Sequence, residues 1–246
     1  MSHILSSQVE GVLTLSLNRP EKLNAITSAM YLDLVAGLRT ASAESGIRAV
    51  LLRAEGAHFT AGNDINDFMS AASLDMDTPG FQFIRAIHEF EKPLIAVVQG
   101  RAVGIGTTAL LHCDVVFAHP SANFSMPFVT LGLVPEAGSS YLFTELVGYQ
   151  KAAEIFFSGE SFDAQAAKEM GLVTRVSEDA DSLAKSFAEK IALQPSAAIA
   201  NTKALLKSKS YEAVNAVIRA EAELFAQAIQ SNEAQEAFMR FLSRKG

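Results

Sequence analysis

Two stretches of this chain place glycine just ahead of a helix start, an arrangement that folding alone does not require. They are His58-Phe59-Thr60-Ala61-Gly62-Asn63-Asp64-Ile65 and Gly100-Arg101-Ala102-Val103-Gly104-Ile105-Gly106-Thr107. At a helix N-terminus the first backbone N–H groups have no intrahelical partner, and glycine lets a ligand approach the main chain closely. Asn63 N–H and Ile105 N–H are therefore candidate donors to an oxygen that gains negative charge during a reaction. Each such donor is typically worth about 10²–10³ in rate. A turn or a tight packing contact is the competing reading of both loops. Asp64 is expected to cap the following helix rather than act as a base. The Gly104-Ile105-Gly106 stretch also suggests a dinucleotide loop, but the third glycine position is Ala109, and about 20 residues on, where an acidic residue is needed, stand Phe128 and Thr130.

The elements that would hold these loops alternate between strand and helix. Leu13, Leu15 and Leu17 alternate with Thr14 and Ser16, the period of a strand with one buried face. Asn18-Arg19-Pro20 breaks it, and Thr27 or Ser28 caps a helix with Met30, Leu34 and Leu38 on one side, closed near Gly46. Residues 47–52 read as a second strand, and Asp64 with Asp67 as an acidic helix start. A helix around Phe81, Ile84, Ile87 and Glu91 stops at Pro93, and Leu94–Val98 is an unbroken apolar run, as in a strand covered on both faces. Val115–Ala118 is another strand, and from Glu136 onward the pattern is helical apart from residues 172–176. The pattern gives a strand-rich core over about residues 1–145 and a helical part over 146–246, packed on that core or on a neighbouring subunit. The face carrying Ala222, Leu224, Phe225, Ala228 and Ile229 belongs to the core or a subunit contact.

Composition narrows the class. Of 246 residues 49% are hydrophobic and 19% charged, which excludes a disordered or collagen-like chain. Twenty basic against 27 acidic side chains leave a net charge of −7, which argues against nucleic acid as a partner. Cys113 is the single cysteine and suits a reducing compartment. His3, His58, His88, His112 and His119 show no ligand spacing, so no metal is expected, though His58 adjoins the first loop. The opening residues lack a signal-peptide pattern, and no apolar run approaches the roughly 20 residues that span a bilayer, so no membrane partner is expected.

Four ordered segments carry a family resemblance. Asn18-Arg19-Pro20-Glu21-Lys22-Leu23-Asn24-Ala25-Ile26, then Phe59 to Ile65, then Gly100 to Gly106, then Leu131-Gly132-Leu133-Val134-Pro135-Glu136 resemble the successive signatures of the enoyl-CoA hydratase/isomerase (crotonase) family. Similarity extends through Ala164 to Val173 and so covers nearly the full chain. The resemblance implies an α/β fold, a crotonase-like spiral of β-β-α units over 1–190 with a helical C-terminal trimerisation region over 191–246. It implies an acyl-CoA substrate whose thioester oxygen sits between Asn63 N–H and Ile105 N–H. It also implies CoA contacts at Lys22, Ala25, Ala61, Gly62, Asn63, Asp64, Ile65 and, among the late-helix lysines, Lys203. CoA would be part of the substrate, with no separate cofactor, and the assembly a homotrimer or a dimer of trimers.

The departures from the family pattern are chemical. The family's hydratases carry two glutamates at positions that here are Thr108 and Phe128. Adding water needs groups that position it, take its proton and return one to carbon, work suited to a carboxylate pair. Glu136 instead follows Pro135 where most hydratases have glycine, a pattern similar to the peroxisomal-type Δ3,Δ2-enoyl-CoA isomerases. The resemblance thus implies that Glu136 shuttles a proton in shifting a double bond from C3–C4 to C2–C3, a step of fatty-acid β-oxidation. A mere helix-start acid is the alternative role for Glu136. A hydratase, another CoA-thioester lyase and a noncatalytic acyl-CoA-binding subunit are the alternative functions. The ending Ser243-Arg244-Lys245-Gly246 is not a Ser-Lys-Leu address, so a cytoplasmic, bacterial protein is expected.

Overall fold

The computed structural model describes residues 3–69 and 77–243, so Arg244, Lys245 and Gly246 lie outside the described residues. The chain opens with an antiparallel hairpin of β1 (Ile4–Val9) and β2 (Val12–Leu17). Glu10 and Gly11 close it, both at positive φ (50° and 79°), the twist a two-residue hairpin turn demands. Hydrophobic pattern does not foretell β1, because only Ile4 of its six residues is buried. Thr27 then caps α1 (Ser28–Ala43), its hydroxyl accepting from Met30 N–H at 3.3 Å. The helix ends at Ala43, before Gly46, and β3 (Ala49–Ala54) begins two residues later than the sequence suggests.

Helices α2 (Ile65–Met69) and α3 (Pro79–Glu89) precede β4 (Leu94–Val98) and the short β5 (Arg101–Val103). Then come α4 (Ile105–Thr108), β6 (Val115–Ala118) and β7 (Asn123–Ser125), followed by α5 (Ser139–Val147) and α6 (Tyr149–Ser158). The two-residue strands β8 (Phe162–Asp163) and β9 (Arg175–Val176) flank α7 (Ala164–Glu169). Four helices finish the chain: α8 (Ala180–Ala192), α9 (Ser196–Ser208), α10 (Tyr211–Ile229) and α11 (Asn232–Ser243).

Six strands form one sheet in the order β1-β2-β3-β4-β6-β9, parallel everywhere except the opening hairpin. The order β5-β7-β8 makes a second, smaller sheet. On one face of the large sheet Leu13, Leu15, Leu17, Val50, Leu52, Ala96 and Val98 join the main core with α1 and α3. The opposite face is covered as well, which corrects the expectation of a half-buried β2. Val12, Ala49, Leu51, Ile95 and Phe117 pack under α8, whose Ala180, Ala184, Ala188 and Ala192 recur at every fourth residue. Small side chains at that spacing let the helix lie close on a flat strand surface. Val214, Ile218, Ala222 and Phe225 of α10 belong to the main core. Among the described residues no helix is long and apolar enough to cross a membrane.

Candidate active site

Strand-like pairing fixes the direction of the first proposed donor. Ile26 pairs in parallel with Asn63: Ile26 N–H donates to Gly62 O at 2.8 Å and Asp64 N–H donates to Ile26 O at 2.9 Å. In a parallel bridge those bonds use the neighbours of Asn63, so Asn63's own N–H points to the other side. Among the described residues it has no acceptor. Ile105 is the first residue of α4, and Gly104 O accepts from Thr107 and Thr108 N–H, leaving Ile105 N–H equally free. Both residues line one cavity of about 60 Å³.

Two glycines bring the loops together. A Cβ on Gly62 (φ 87°) would lie 2.8 Å from Val103 O, and one on Gly106 would lie 2.3 Å from Thr60 Cγ2. Thr60 and Ala102 pair across the gap, through Thr60 N–H to Arg101 O and Val103 N–H to Thr60 O. Asn24 ties the early segment to the same frame. Fully buried at φ 54°, it accepts from Arg19 N–H and donates to the carbonyls of Glu55 and His58, while Thr60 Oγ1 donates to its carbonyl. The Asn18 to Ile26 segment therefore holds up the donor loop.

Glu136 lines the same cavity as Asn63 and Ile105. It is 5% exposed, and its Oε1 is the one buried carboxylate oxygen without a hydrogen-bond partner among the described residues. Burial, and then the nearby Glu221 carboxylate, push its pKa up to about 8. The apolar residues sharing its cavity include Ile26, Phe81, Ile84, Ile105 and Phe225. Thr108 and Phe128, at the two hydratase positions, are both buried and neither lines the cavity.

The cavity's other acids are engaged. Asp64 Oδ1 accepts from Asn66 and Asp67 N–H, the capping role expected of it, while Oδ2 pairs with Arg19 at 2.6 Å. Burial raises its pKa, but the Arg19 bond and charge together with the two N–H groups win, and it ends below the usual carboxylate range. Asp67 accepts from Ser28 N–H and Oγ–H, both at 2.7 Å. Tyr31 O–H donates to Asn63 Oδ1 at 2.5 Å. Sequence reasoning missed Tyr31 and Phe81, and placed Phe225 in the core or a contact without seeing that it also faces the cavity.

Other expected contacts lie elsewhere. Lys22 ends an exposed 3₁₀ turn, Ala25 O accepts from Arg19 Nη1, and Ala61 N–H donates to Leu23 O. Ile65 begins α2 and packs against the main core. Lys203 is 7% exposed, Asp114 Oδ2 and Lys92 O hold its ammonium, each at 2.8 Å, and it lines a separate cavity with His88, Lys207 and Tyr211. His58 is also used within the fold, its Nδ1 accepting from Arg101 N–H.

Residues 7–246 match the family model described as enoyl-CoA hydratase/isomerase. This chain belongs to that family. Among characterised relatives, "2,3-dehydroadipyl-CoA hydratase" of Escherichia coli K12 is 34% identical, with 100% of this chain and 97% of the relative aligned. "Enoyl-CoA delta isomerase 2" of Rattus norvegicus is also 34% identical over 98% of this chain, which spans only 64% of that relative's length. The solved structure of Pseudomonas aeruginosa OdaA has a TM-score of 0.95 at 40% identity, covering 98% of this chain and 99% of that one. The α/β architecture with its helical C-terminal region is thus the crotonase fold, and the protein is a hydratase/isomerase-family enzyme of acyl-CoA metabolism.

Proposed function

We propose that this family member is a Δ3,Δ2-enoyl-CoA isomerase, converting 3-enoyl-CoA to trans-2-enoyl-CoA. The observation that carries the reading is Glu136, a buried carboxylate with an unpartnered oxygen, in one cavity with two unpaired backbone N–H groups. Ionised Glu136 takes a proton from C2, and the electron pair moves through the thioester to give a dienolate. Asn63 N–H and Ile105 N–H stabilise its oxygen. The same proton returns from Glu136 to C4 as the double bond settles at C2–C3. Nothing is added or lost, so one carboxylate suffices, whereas hydration calls for the pair that Thr108 and Phe128 lack.

Lys22, Ala25, Ala61, Gly62, Asn63, Asp64, Ile65 and Lys203 remain the proposed neighbours of CoA, and a homotrimer or dimer of trimers in the cytoplasm the proposed setting. The hydratase reading is supported by the names of several relatives, those of Escherichia coli, Bacillus subtilis and Rhodobacter capsulatus among them. Incubation with a 3-enoyl thioester should generate the conjugated-thioester absorbance, and a 2-enoyl thioester should not lose it to water. Loss of conjugation instead would establish the hydratase. Tight binding without any turnover would establish a binding subunit.

A further inference from the structure

The turn that carries Glu136 is gripped at two successive residues by side chains from distant parts of the chain. Ala137 and Gly138 both have positive φ, 62° and 68°, a conformation an alanine does not hold unaided. His112 Nε2 lies 2.7 Å from Ala137 O. A carbonyl only accepts, so the Nε2 proton is donated. Burial lowers the His112 pKa to about 3, and the ring is neutral. On the other flank, Glu221 of α10 accepts Gly138 N–H at 2.6 Å with one oxygen. Its second oxygen takes Ser140 N–H at 2.9 Å and Ser140 Oγ–H at 2.6 Å. Glu221 is 6% exposed. Burying a carboxylate and an imidazole is costly, and a helix start could be capped by a local serine instead.

We infer that His112 and Glu221 are positioning residues for Glu136, clamping its strained turn so that the carboxyl faces the cavity with one oxygen free. The inference rests on the reading of Glu136 as the proton shuttle. Neither residue lines the cavity, so neither touches substrate. Glu221 has a second effect. Burial raises the Glu221 pKa while three donors on its oxygens favour its charged form, and that charge adds to burial in making Glu136 hold its proton more tightly. The other titratable groups facing this region cannot replace it. Tyr31 of α1 stays neutral, Asp64 is tied to Arg19, Asp67 of α2 is bonded to Ser28, and His112 carries no charge.

The test uses the full chain as wild type and as Glu221→Gln, His112→Phe and His112→Gln, with Glu136→Gln as the blank. Two readouts are taken on folded protein: the titration of the Glu136 carboxyl by NMR of glutamate-labelled protein, and kcat and KM for a 3-enoyl thioester. Glu221→Gln should move the Glu136 midpoint down by about one pH unit and lower kcat roughly tenfold with little change in KM. His112→Phe should lower kcat similarly. His112→Gln, whose amide N–H can reach Ala137 O, should restore most of it. Variants that fold yet titrate and turn over as wild type would overturn the clamp. So would a loss in His112→Phe that glutamine does not rescue while the Glu136 titration stays put. If Glu221→Gln does not fold, the His112 pair decides. A wild type that titrates as described but turns over no enoyl thioester refutes the isomerase assignment and leaves the clamp to be judged on titration.

Discussion

Asn63 and Ile105 reach the site through main-chain pairing among residues 24–106, whereas Glu136 arrives on a turn held from His112 and from Glu221, 83 residues beyond Gly138. The first half of the site is backbone. Its geometry follows from which N–H and C=O groups Ile26, Thr60 and Ala102 use up, and side chains matter there mainly where glycine must be small. The second half is a side chain in a place where burial disfavours charge, on a turn bonded by His112 and by Glu221 of α10, whose charge adds to its proton affinity. The oxyanion side should therefore resist conservative side-chain changes and the base side should not.

The largest effect should come from Glu136→Gln, which keeps the shape but cannot shuttle a proton. We expect kcat to fall by about 10³-fold or more with acyl-CoA affinity nearly unchanged, measured by turnover and by calorimetric binding. In the wild type, the base must be ionised, and its pKa lies near 8 instead of the ordinary 4.5. Activity should rise with pH from 6 to 9 along an acid limb near 8. A limb near 4.5 would mean that the working carboxylate is exposed and is not this one.

On the backbone side the sharpest break is Gly62→Ala. Its Cβ would sit 2.8 Å from Val103 O in a left-handed conformation, so the loop must shift and carry Asn63 N–H with it. Losing one donor of the pair predicts a fall of about 10² in kcat. Turnover at wild-type rates in a folded Gly62→Ala protein would disconnect this loop from the chemistry.

These two halves also differ in how far the sequence reveals them. Leu94–Val98 and Val115–Ala118 are strands at the very bounds their apolar runs suggest, and Thr27 caps α1, because local pattern and local bonding decide those elements. Strands β1, β5 and β8 escape notice because they are exposed at an edge or only two or three residues long. The proposed donors Asn63 and Ile105 were legible as glycine loops before helix starts. Glu221, Tyr31 and Phe225 were not, since a helix pattern tells which face is buried but not that the face meets a turn or a cavity formed by another element. The partners of Lys203 were hidden for the same reason. A lysine on a polar-looking helix reads as solvated or as a phosphate ligand, and only the fold brings Asp114 to its ammonium.

A smaller effect separates stability from activity on the base side. Glu136 in the folded state binds its proton more tightly than at its ordinary 4.5. The fold therefore loses stability as pH rises from about 4.5 through about 8, because over that range the unfolded chain gives up the proton that the native state keeps. Glutamine has no such proton to give up. Glu136→Gln should melt close to wild type at pH 5 and on the order of 5 °C higher at pH 9. Parallel melting curves at both pH values would show that the carboxyl is hydrated in the native protein.

The smallest effect is expected from Tyr31→Phe, and it tests the backbone side directly. Burial, then the charges of Glu136 and Asp67, raise the Tyr31 pKa well above its usual 10, so the hydroxyl is a neutral donor to Asn63 Oδ1 at any working pH. Removing it forfeits a hydrogen bond worth about 1 kcal/mol net, or roughly fivefold in rate if all of it served the transition state. Yet the direction of Asn63 N–H is set by Ile26 pairing with its neighbours, which the mutation leaves intact. The fall in kcat should therefore stay within about fivefold. A loss as large as that expected for Gly62→Ala would mean that the Asn63 side chain, rather than the paired main chain, aims the donor, and the contrast between a backbone half and a side-chain half would no longer hold.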